Sequence, residues 1–146
     1  MPPSAPESLP TRLQLAVPTG LAALEPARLA VHGFLAGRVR SVRALYRLDL
    51  VLEESLMNRL WHAYPLGKAG GTQLQVDLHG DELQLRFEDE GMPFDPTKAQ
   101  RPAAAERLAD ALPGGRGLML AQQAAQQWSY ERVGPKNVFT VVLALE

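Results

Sequence analysis

Two short runs limit what this chain can become. From Thr72 to Leu78 and from Glu82 to Glu88 an apolar side chain recurs at every second position, and only His79-Gly80-Asp81 separates the runs. A period of two is that of a half-buried strand, and so short a glycine-containing connection makes the strands antiparallel neighbours. A second pair, Trp128 to Val133 and Val138 to Leu145, flanks Gly134-Pro135, and Arg12 to Val17 alternates in the same way. Between the strands the apolar spacing becomes helical: from Leu21 to about Val39, from about Val42 to Tyr64, over Ala103 to Leu112, and from about Leu118 to Gln127. In the 42–64 segment Leu45, Leu48, Leu52 and Leu56 define the expected core arc, with Arg47, Glu54 and Asn58 roughly opposite. Strands that do not alternate one by one with helices predict an α/β fold of two layers: a mixed, largely antiparallel sheet with helices on one face.

The 146 residues are one domain's worth, and 46% hydrophobic with 21% charged residues is ordinary for a folded protein. The Pro- and Ser-rich residues 1–11 read as a disordered tail, leaving 12–146 as the domain. Fifteen Lys and Arg against sixteen Asp and Glu give a net charge of −1, which supplies no positive field for nucleic acid. The absence of Cys removes disulfides, thiolate metal sites and cysteine nucleophiles, and His32, His62 and His79 lack the spacing of a helical zinc site, so oxygen ligands are expected for any metal. No stretch has the ~18 apolar residues of a membrane span and the start has no signal-peptide pattern, so a cytoplasmic protein is expected.

Three polar segments can carry chemistry. Glu54 and Asn58 are four apart on one helix and can share a ligand, the amide oxygen suiting Mg²⁺ and the carboxylate orienting or deprotonating a hydroxyl. The same spacing is also that of a solvated helix face. Asp89-Glu90-Gly91 leaves a strand, where a carboxylate can meet a base or ribose while Gly91 admits close backbone approach, or where Asp simply caps a turn. Gly114, Gly115 and Gly117 precede a helix, the setting of an N–H cradle for phosphate, or of a hinge; no Lys-Ser/Thr follows as a Walker A loop requires.

Taken together, Glu54-Ser-Leu-Met-Asn58-Arg-Leu-Trp-His62-Ala-Tyr64, Asp89-Glu-Gly91-Met-Pro-Phe94-Asp-Pro96 and Gly114-Gly115-Arg116-Gly117-Leu118 resemble, in order and spacing, the N, G1 and G2 boxes of the GHKL (histidine kinase-like) ATPase superfamily. Within it the chain resembles the anti-sigma-factor serine/threonine kinases of the RsbW and SpoIIAB type, over roughly residues 12 to 145. The resemblance implies the Bergerat ATP-binding fold with ATP and Mg²⁺ as cofactors. It implies Asn58 as the Mg²⁺ ligand, Glu54 as the carboxylate activating the attacking hydroxyl, and Asp89 with Gly91 at the adenine. Gly115, Gly117 and Arg116 are implied at the phosphates, residues from Asp95 to Pro113 as an ATP lid, and Thr140 near the adenine. Phosphoryl transfer asks mainly for positioning and charge neutralisation, which such parts supply.

The sequence departs from that pattern at two places: Pro93 stands where many relatives have a second G1 glycine, and before the last strand Asn137 and Thr140 replace a Gly-Thr pair. The expected function is an ATP- and Mg²⁺-dependent serine/threonine kinase that phosphorylates a STAS-domain anti-sigma-factor antagonist, binds a sigma factor or another regulator, and forms a homodimer. An ATP-gated protein-binding module without phosphotransfer, and more remotely a detached histidine-kinase catalytic domain, remain open at this stage.

Overall fold

A computed structural model describes residues 10–58, 71–98, 122–123 and 125–145, the side chains of 21, 58 and 98 excepted. The expected tail up to residue 9, the helix end over 59–64, the Ala103–Leu112 helix and the Gly114–Gly117 segment lie outside the described residues.

Five strands form one sheet: β1 (Arg12–Pro18), β2 (Gly71–His79), β3 (Glu82–Asp89), β4 (Ala125–Val133) and β5 (Lys136–Ala144), in the order β1-β2-β3-β5-β4. Every pairing among them is antiparallel, in keeping with the mixed, largely antiparallel sheet expected. The short connections dictate this for two of the pairs. His79 faces Glu82 across Gly80-Asp81, and Val133 faces Lys136 across Gly134-Pro135. Gly80 and Gly134 take φ of +57° and +58°, the left-handed conformation that a two-residue hairpin turn needs and that a side chain disfavours.

Two helices follow β1: α1 (Leu24–Leu35) and α2 (Val42–Asn58). The helical reading of 21–39 is shortened at both ends. Leu21–Ala23 is a 3-10 turn, which places Pro26 in the first turn of α1, where its missing N–H costs no hydrogen bond. After Leu35 the chain closes on itself, with the amides of Arg38 and Val39 donating to the Leu35 carbonyl and Gly37 left-handed at φ +78°. Ser41 then caps α2, its hydroxyl oxygen accepting from the Ala44 amide at 3.1 Å. His32 and Asp49, 2.6 Å apart, tie the two helices together.

The core lies between the helices and one face of the sheet. Val31 and Leu35 of α1 and Leu48, Val51 and Leu52 of α2 meet Leu74, Val76, Leu85 and Phe87, all essentially inaccessible to water. Each such side chain contributes about 1.5–3 kcal/mol on burial. Phe139 packs between Phe87, at a ring-centroid distance of 6.1 Å, and Trp128, edge-on at 4.7 Å. The buried arc of α2 is rotated from the leucine-defined one: Ala44, Leu48, Val51, Leu52 and Ser55 are buried, whereas Leu45 and Leu56 are only partly so. A further difference concerns 125–127, read as the end of a helix. They open β4 instead, Ala125 pairing with Leu143 and Gln127 with Val142 through a bulge. Among the described residues no helix is long and apolar enough to cross a membrane.

Candidate functional site

On the helix-covered face, β3 and β5 meet in register as Leu83–Leu143, Leu85–Val141, Phe87–Phe139 and Asp89–Asn137. Three apolar pairs thus give way to one polar pair at the end of the sheet, and both its members are buried, at 4% and 1% exposed. Buried polar groups require partners, and these have them. Asp89 Oδ1 accepts from the Gly91 amide at 2.9 Å and from Asn137 Nδ2 at 2.8 Å. Asn137 Nδ2 also donates to the Met92 carbonyl at 2.8 Å. Its Oδ1 accepts from the Tyr130 hydroxyl at 2.5 Å, from Arg132 Nη1 at 3.1 Å and, more weakly, from the Phe94 amide at 3.3 Å. Arg132 Nη1 reaches across to the Gly91 carbonyl at 2.9 Å. Downstream, Asp95 Oδ1 accepts from both the amide and the hydroxyl of Thr97, starting the 3-10 turn Pro96–Lys98.

Of the sequence-predicted residues, Asp89 and Gly91 come together directly. Glu54 sits on α2, which packs against β5, and at 5% exposed it lies at the margin of the buried arc beside Val51. A solvated helix face is therefore excluded for Glu54, a consequence of the rotated arc. Asn58 ends α2 one turn further along, its side chain outside the described residues. Gly115, Arg116 and Gly117 are outside them too, as is the expected lid beyond residue 98. Thr140 does not join Asp89. It pairs with Arg86 and Ser129, and strand alternation places it on the opposite face of the sheet, one position out of phase with Asn137 and Phe139.

Residues 17–143 match the histidine kinase-like ATPase domain. The chain belongs to that family. Within it, this ATPase domain is 36% identical to the serine/threonine-protein kinase BtrW of Bordetella bronchiseptica over 101 residues, 69% of this chain and 71% of that protein. It also resembles a crystal structure of the RsbU and RsbW domains of Rv1364c from Mycobacterium tuberculosis, with a TM-score of 0.64 and 15% identity over 92% of this chain and 32% of that one. The second likeness is one of fold.

Three side chains of the candidate site escaped the sequence reading: Asn137, noted only as a departure but bonded to Asp89, and Arg132 and Tyr130, bonded to Asn137 in turn. The only signal was indirect. Tyr130 and Arg132 lie at alternate positions of the last hairpin and share a face with Asn137, but that this face meets Asp89 depends on the pairing of β3 with β5.

Proposed function

We propose that the chain is an ATP- and Mg²⁺-dependent serine/threonine kinase of the partner-switching type, phosphorylating a STAS-domain antagonist and otherwise binding a sigma factor or another regulatory protein, as a homodimer. The observation that carries the reading is the buried Asp89 carboxylate at the end of β3, held by two N–H donors beside the Gly91 turn. A carboxylate is acceptor-only when ionised, which suits the amino group of adenine. Gly115, Arg116 and Gly117 would hold the phosphates and Asn58 the Mg²⁺, whose chemistry there is to neutralise charge on the transferring phosphoryl group. Glu54, a carboxylate sheltered from solvent on α2, would accept the proton of the partner's attacking serine or threonine hydroxyl. Similarity to BtrW supports the kinase assignment.

The test is transfer of label from γ-labelled ATP to a candidate STAS-domain partner. Wild-type protein is expected to label the partner on serine or threonine, and Glu54→Gln to lose transfer while retaining ATP. An unlabelled partner under conditions where ATP binds, with partner binding still nucleotide-dependent, would instead establish a gated module without phosphotransfer.

A further inference from the structure

Asn137 spends both ends of its amide on the segment that leaves β3. Its Nδ2 faces two acceptors, Asp89 Oδ1 and the Met92 carbonyl, while its Oδ1 faces three donors, from Tyr130, Arg132 and Phe94. Turning the amide over would set oxygen against oxygen and N–H against N–H, so the network admits one orientation only. Asp89 is the last residue of its strand, beyond which strand pairing no longer constrains the chain. One of the donors on its carboxylate, the Gly91 amide, belongs to the exiting turn and moves with it. The other comes from an interior strand of the sheet.

We propose that Asn137 is the positioning residue for Asp89, fixing the carboxylate and the turn through Phe94 so that the amino group of adenine is read, with Arg132 and Tyr130 in turn fixing Asn137. The proposal rests on the reading of Asp89 given above. Its physical content is rotational: a hydrogen bond to a ligand amine depends on where the carboxylate plane points, and Asn137 sets that plane from a strand that cannot move without disrupting the sheet. Arg132 adds a second tether by donating to the Gly91 carbonyl, so three of the four turn residues from Gly91 to Phe94 are tied to the last hairpin.

The test compares affinities for ATP and for purine riboside triphosphate, which lacks the amino group, by competition against a fluorescent ATP analogue, with thermal melts alongside. The proteins are wild type, Asn137→Ser, Tyr130→Phe, Arg132→Met and Asp89→Asn. A charge-assisted hydrogen bond is worth about tenfold or more in affinity, so wild type is expected to prefer ATP by at least that factor. Asn137→Ser is expected to bring the preference to about threefold or less, chiefly by weakening ATP, with intermediate losses in the other two hub variants. A merely structural role would weaken both nucleotides alike and preserve the ratio, which would overturn the proposal. If Asn137→Ser does not fold, Tyr130→Phe, which removes one hydroxyl, and Arg132→Met, at an exposed position, decide it, and an unchanged ratio in both overturns it. A ratio lost in Asp89→Asn but intact in Asn137→Ser refutes the positioning role alone. No preference in wild type refutes the reading of Asp89 and the proposal with it.

Discussion

On the proposed roles, replacing Asp89 by Asn is expected to separate recognition of the base from chemistry at Glu54. The substitution is isosteric, and the new carbonyl oxygen can keep both native donors, the Gly91 amide at 2.9 Å and Asn137 Nδ2 at 2.8 Å. Keeping them forces the new NH₂ into the place of the second carboxylate oxygen, where on the proposed reading a donor would confront the donor amine of adenine. What is lost is one hydrogen bond to a charged group, about 1.5–3 kcal/mol, or about a ten- to hundredfold rise in Kd for ATP. The bonds from the Gly91 amide and from Asn137 are kept, so the melting temperature should change little. Glu54→Gln is expected to behave oppositely, holding the Kd within about threefold of wild type while abolishing transfer. Fluorescence anisotropy with a labelled ATP analogue at fixed Mg²⁺, with a melt of each protein, measures both. A Kd for Asp89→Asn within about threefold of wild type, or equal weakening by the two substitutions, would refute the roles assigned to these carboxylates.

Two further outcomes concern stability. Ser41→Ala deletes the cap on α2 and should cost about 1 kcal/mol, read as a lower urea midpoint with the slope unchanged. Burial is the largest single influence on Asp77 and would raise its pKa, but the hydrogen bonds from Arg12 and Gln75, with the charges of Arg12 and His79, together outweigh it and hold the carboxyl below its ordinary value of 3.8. The stabilisation is therefore present above that value and is lost as pH falls through the lower folded-state pKa. Arg12 is more than half exposed, so Arg12→Gln should cost only about 1 kcal/mol at neutral pH. The difference from wild type should shrink in acid, as urea titrations at several pH values would show.

The strands were legible because alternation and glycine turns are local signals, and they survive in the fold with boundaries moved by at most three residues. Ala125 to Gln127 misled for a physical reason: Ala and Gln favour a helix, and only pairing with Val142 and Leu143 overrides that preference. The phase of α2 was misjudged because leucines were counted and Ser55 was not, although Ser55 is fully buried and Leu56 is not. The contact between Asp89 and Gly91 was legible because a carboxylate and a glycine at a strand exit are neighbours in sequence. Asn137 was not, since its partner Asp89 lies 48 residues away and becomes a neighbour only through the sheet.

The place of β5 between β3 and β4 also has a consequence during synthesis. The free edge of β3, with Phe87 on it, must wait on the ribosome for a strand that emerges about 48 residues later. Until then a nascent chain offers an unpaired ribbon to any neighbouring polypeptide, a template for clumping. A product interrupted before Lys136 would keep that ribbon permanently open and should be recovered in the pellet rather than the supernatant.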